Sequence, residues 1–110
     1  GKKIGRKLGY RTCNIKIKNY ILPKMGIYSV KISIGDIEKK YGGVAYLGTR
    51  PTFGGKDIFL EINIFGIKKS LYKKELRVYF LKFLRRDKKF KNPFQLISQM
   101  NKDVILAKKV

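Results

Sequence analysis

Residues 26–35 read GIYSVKISIG, and the class of the fold follows from how that stretch alternates. Tyr28, Val30, Ile32 and Ile34 take every second place, with Ser29, Lys31 and Ser33 between them. Successive side chains on an extended chain leave opposite faces, so a period of two marks a strand with one face buried. Breaks stand on either side, at Pro23-Lys24-Met25-Gly26 and at Gly35-Asp36.

The same period recurs to both sides. NIKIKNYIL (14–22) alternates Ile15 and Ile17 with Lys16 and Lys18, and YGGVAYLG (41–48) and DIFLEINIFG (57–66) read as two further strands. ELRVYFLKFLR (75–85) carries the alternation through Leu76, Val78, Phe80 and Phe83, with a helix as the competing assignment. Gly42-Gly43 and Gly54-Gly55 are expected to mark further turns, at intervals that suit an antiparallel meander or barrel. The period changes after Asn92-Pro93. Asn92 suits an N-cap and Pro93 the first helical position, and Phe94, Leu96, Ile97, Met100, Val104 and Ala107 then recur at helical spacing. The expected class is therefore mainly β, a small barrel or strongly curled sheet closed by one C-terminal helix.

Composition bounds the function. The 110 residues suffice for one domain with a single core, and 44% hydrophobic residues argue against disorder. Twenty-seven Lys and Arg against seven Asp and Glu give a net charge of +20. That charge favours anionic partners, but the lysines are scattered along the chain rather than gathered in a tract, which makes nucleic acid the weaker expectation. There is no histidine and only one cysteine, Cys13. Ser-His-Asp and Cys-His catalysis and an internal disulfide are thereby excluded, and a reducing, cytoplasmic setting is the default. No run approaches the length of a membrane span, and no GxxxxGK[ST] phosphate loop occurs. The chain starts at Gly1 without methionine and reads as a piece of a longer polypeptide.

Two places invite chemistry. Glu61 is an acid inside the apolar run of 58–65, sharing a face with Phe59, Asn63 and Phe65 on strict alternation. It is either an exposed-face residue or a placed base. The opening segment GRKLGYRTCNI (5–15) combines Gly5 and Gly9, which let backbone approach a phosphate, with Arg6 and with Thr12 and Asn14 two residues apart. That pair either offers two oxygens to a metal ion or holds a turn.

In order, GRKLGYRTCNI, PKMGIYSVKI, YLGTRPTFGG, FLEINIF, LYKKELRVYFLKFLRRDKKF and QLISQMNKD resemble riboflavin kinase, in particular the kinase half of bacterial bifunctional riboflavin kinase/FAD synthetases. The likeness rests on the order and spacing of six blocks over nearly the whole chain. It implies a six-stranded antiparallel Greek-key barrel with a C-terminal helix, here as a single domain, 1–110, that starts inside the family's first block and so lacks its first strand. It further implies transfer of the γ-phosphoryl of ATP to the 5′-hydroxyl of riboflavin, with magnesium, and an adenylyltransferase domain preceding this one in the native polypeptide.

Residue by residue, the resemblance assigns Gly5, Arg6 and Gly9 to the nucleotide loop and Thr12 and Asn14 to nucleotide and magnesium. It makes Glu61 the catalytic base and places Tyr72, Lys73 and Arg85 near the flavin. The chain departs from the family pattern at Arg11, where proline is usual, at Cys13 for alanine, Tyr46 for asparagine, Asn63 for histidine and Gly66 for aspartate. Two other expectations stay beside the kinase: a degenerate flavin- or nucleotide-binding module weakened by Arg11, and a small basic barrel that binds RNA or single-stranded DNA.

Overall fold

The computed structural model describes residues 11–16, 22–67 and 74–110. Within them the chain forms β1 (Arg11–Lys16), β2 (Gly26–Ile34), β3 (Lys40–Thr52), β4 (Gly55–Ile64), β5 (Leu76–Arg85) and α1 (Pro93–Lys108). The strands make one five-stranded sheet in the order β1-β4-β3-β2-β5, every neighbouring pair antiparallel. β2, β3 and β4 follow one another as a meander and β5 returns to lie beside β2, which is the Greek-key arrangement.

The alternation of 26–35 puts Tyr28, Val30, Ile32 and Ile34 into one cluster with Ala45, Leu47, Leu60, Ile62 and Ile64, all at 5% exposure or less. No residue of α1 belongs to that cluster, so the sheet covers this face by curling over it, helped by Leu22, Ile67, Leu76, Val78, Phe80 and Phe83. The opposite face lies under α1. There Ile27 and Val44 pack with Val104 and Ala107, flanked by Tyr46, Phe65 and Leu84.

The segment 76–85 is a strand, and its change of phase between Phe80 and Phe83 has a local cause. Two irregularities interrupt its pairing with β2, between Ile27 and Tyr28 and between Ser29 and Val30. Each leaves one residue of β5 unpaired, as a β-bulge does, and so shifts which side chains reach the core. The helix starts as its sequence indicates, with the Asn92 side chain accepting from the Gln95 backbone N–H at 3.0 Å and Pro93 in the first turn.

Two expectations need correction. Gly42-Gly43 is not a turn: both residues lie inside β3. A Cβ on Gly43 would stand 2.6 Å from the Asn63 backbone oxygen and 2.8 Å from Ile32 Cδ1, so glycine is needed there for close approach of strands. Gly54 does turn the chain, at φ +89 in the tight β3–β4 hairpin. Phe94, despite its helical spacing, is 83% exposed, because it sits on the first turn before α1 reaches the sheet. Thr12 and Asn14 stand two residues apart on the extended β1, as their spacing on an extended chain requires if they are to share a face. Ile17 and Lys18, the second half of the first alternating run, lie outside the described residues. Among the described residues no helix is long and apolar enough to cross a membrane.

Candidate active site

Register assembles the site. Asn14 of β1 pairs with Glu61 of β4, Glu61 with Tyr46 of β3, Tyr46 with Ile27 of β2, and Ile27 with Arg85 of β5. The adjacent row on the same face runs Thr12, Asn63, Val44, Ser29 and Lys82. Residues 12, 14 and 61, separated by up to 49 places in the sequence, therefore occupy neighbouring positions on two paired strands. Glu61 is half-buried, while Asn63 at 0% and Ser29 at 2% exposure are fully enclosed. This is the face that α1 covers, so the polar rows stand at the margin of an apolar contact and lose part of their water.

Behind Glu61 lies a second polar group that the sequence did not announce. Asp103 of α1 is completely buried, and its carboxylate receives Arg85 Nε on Oδ1 and Arg85 Nη2 on Oδ2, both at 2.7 Å. Gln99 Nε2 donates a further bond to Oδ1 at 3.0 Å, and Arg85 Nη1 caps the Arg86 carbonyl at 2.9 Å. Such a two-pronged guanidinium–carboxylate pair fixes both partners in one plane. Burial works against the charge of Arg85, but the hydrogen-bonded Asp103 carboxylate more than offsets it, and the guanidinium is held above its ordinary pKa. Arg85 thus clamps α1 to β5. The one available signal for Asp103 was an acid at helical spacing among Met100, Val104 and Ala107.

Tyr46 stands between the two groups. Its hydroxyl is buried beside the Asp103 carboxylate. Burial foremost, then the negative charges of Asp103 and Glu61 against the opposing Arg85, push the phenol well above its ordinary value. It is a proton donor at every physiological pH.

Among the described residues no three of His, Cys, Asp and Glu gather into a metal cluster. Thr12, Asn14 and Glu61 instead bring together, by register, residue types that carry a hydroxyl, an amide and a carboxylate oxygen. Such hard oxygens suit a magnesium ion that keeps most of its water and substrate phosphate ligands. Gly5, Arg6, Gly9, Tyr72 and Lys73 lie outside the described residues.

Comparison with known proteins bears on the family. The family model for flavokinase, riboflavin kinase, matches residues 1–110. The bifunctional riboflavin kinase/FMN adenylyltransferase of Buchnera aphidicola subsp. Schizaphis graminum is 36% identical over 111 residues, covering 99% of this chain and 35% of that protein. That of Haemophilus influenzae is 36% identical over 110 residues, covering 98% and 35%. The chain thus spans about a third of the length of the curated relatives it matches. A solved structure described as a macrolide-efflux protein from Streptococcus pneumoniae superposes with a TM-score of 0.86 at 31% identity, covering 100% of this chain and 36% of that one. A family match over the full length, relatives of one kind and a Greek-key sheet under a C-terminal helix converge on one assignment: the chain belongs to the riboflavin kinase family.

Proposed function

We propose that this domain moves the γ-phosphoryl of ATP to the 5′-hydroxyl of riboflavin, giving FMN and ADP. The observation that carries the reading is the register of β1 on β4, which sets Asn14 opposite Glu61 with Thr12 one row away. Glu61 orients the ribityl 5′-hydroxyl and takes its proton as the new O–P bond forms and the bridging bond to ADP breaks. Thr12 and Asn14 hold phosphate oxygens and would ligate magnesium, which supplies charge neutralisation when bound. Phosphoryl transfer needs positioning and charge compensation more than covalent help, so a site without histidine suffices. Gly5, Arg6 and Gly9 are assigned to the nucleotide, and Tyr72, Lys73 and Arg85 to the flavin side.

The domain is further proposed to be cytoplasmic and to work, as its relatives' name suggests, in one polypeptide with an adenylyltransferase domain on its N-terminal side. Incubation with riboflavin and Mg-ATP, followed by chromatographic separation of flavins, tests the activity directly. FMN should appear in step with ADP, and unconverted riboflavin under saturating Mg-ATP would refute the reading.

A further inference from the structure

From the polar rows the outer face continues along the β3–β4 hairpin. On β4 the places that share a face with Glu61 are Phe59 and then Asp57; on β3, Gly48 and then Arg50 follow Tyr46. Among the described residues β2 pairs with β3 only as far as Leu47 and β1 with β4 only as far as Phe59, so the hairpin beyond them stands clear of the sheet. The Phe59 ring lies against Gly48, where a Cβ would stand 2.9 Å from two ring carbons, so glycine makes room for it. The Arg50 guanidinium sits over the same ring, 4.6 Å from its centroid. Asp57 is opposite Arg50 in register but forms no ion pair with it. On the face that carries Glu61 there is thus an exposed guanidinium braced by an aromatic ring, with no carboxylate to neutralise it among the described residues.

Spacing and direction both fit the acceptor substrate. Phe59 is two strand residues from Glu61, about 7 Å. The ribityl chain of riboflavin puts six bonds between its 5′-oxygen and the ring nitrogen that carries it, also about 7 Å when extended. In-line transfer sets the departing ADP and the attacking hydroxyl on opposite sides of the phosphoryl group. Thr12, assigned to the nucleotide, pairs with Asn63, and Arg11 before it pairs with Ile64; Phe59 and Arg50 lie on the other side of Glu61. We propose that Arg50, held over Phe59, is a specificity-determining residue for the flavin, its guanidinium stacking on the isoalloxazine ring while the 5′-hydroxyl reaches Glu61. A planar, delocalised cation stacks on an aromatic face as an ammonium does not. This rests on the kinase reading of Glu61.

Riboflavin fluorescence, which stacking quenches, reads binding in the presence of Mg-ADP without any turnover. Arg50→Ala should weaken riboflavin binding about tenfold, and Arg50→Lys nearly as much, because charge without a plane does not replace the guanidinium. Phe59→Leu keeps Arg50 but removes its brace, and should weaken binding about threefold. In steady state Arg50→Ala should raise KM for riboflavin about tenfold with KM for ATP within about twofold. Equal riboflavin affinity in the wild type and Arg50→Ala overturns the proposal, as does full rescue by lysine or a parallel loss of ATP affinity. If the wild type binds riboflavin but makes no FMN, the proposed function fails by itself and the ratio of the two affinities still decides. A wild type that binds no riboflavin overturns the proposal as well.

Discussion

The two faces of the sheet are built on opposite principles. Among the described residues the inner cluster, from Tyr28 and Ile32 on β2 to Ile62 and Ile64 on β4, is apolar but for the Tyr28 hydroxyl, which donates to the Lys24 carbonyl, and it depends mainly on shape. On the outer face, beside the apolar contact with α1, stand Glu61, Asn63, Ser29, Tyr46 and the Arg85–Asp103 pair. Its polar groups are tolerated because most are paired and because the helix covers only part of the face. One face supplies the stability that the other draws on to hold polar groups out of water.

Adjacent residues of β4 offer the sharpest way to break that contrast. Glu61→Gln keeps volume and removes the proton acceptor; FMN formation should fall by about a thousandfold with the melting temperature nearly unchanged. Its neighbour Ile62 is 0% exposed in the inner cluster. Ile62→Ala should lose about 4 kcal/mol of unfolding free energy in a denaturant titration, while the folded fraction keeps its turnover. If the two substitutions exchanged these outcomes, the division of labour between faces would be wrong.

The buried ion pair tests whether the outer face is held by charge or by fit. Asp103→Ala strands the Arg85 guanidinium, whose side chain is only 12% exposed, and should cost about 3 kcal/mol. The double variant Arg85→Met with Asp103→Leu should recover most of that loss, because paired removal leaves no uncompensated charge. Failure to recover would mean that the geometry of the pair, and not only its neutrality, docks α1.

Alkaline titration sharpens the contrast further. The Tyr46 phenol is raised in the fold above its ordinary value of 10.0, so above that pH the unfolded chain releases a proton that the folded chain keeps. Stability must then fall as pH rises past about 10. Urea titrations across that range should show a shallower decline in Tyr46→Phe. Tyr28, also raised by burial, leaves a residual slope.

The smallest expected effect concerns the margin of the site. Arg11 opens β1 opposite Ile64, and proline is acceptable at the first residue of a strand. Arg11→Pro should tighten Mg-ATP by about 1 kcal/mol through a less free backbone and raise FMN formation, read from steady-state kinetics over a magnesium titration. Weaker ATP binding in that variant would show that the guanidinium itself contacts phosphate.

Local chemistry by itself determined much of this molecule. Alternation at 26–34 and 57–64, the Asn92-Pro93 helix start and the Gly54 turn are written in neighbouring residues, because period, capping and backbone freedom act over a few positions. The apolar run also singled out Glu61, but not what it would meet. Only the tertiary structure set Asn14 and Tyr46 on either side of it, since register depends on strands far apart in the chain. Tertiary contact likewise turned Gly43 from an apparent turn into a point where β4 passes too close for a side chain. It exposed Phe94 and buried Asp103 on the same helix, and it joined Asp103 to Arg85. The physical reason is common to all of these. Desolvation and close packing belong to pairs of surfaces, and no single stretch of sequence contains both members of the pair.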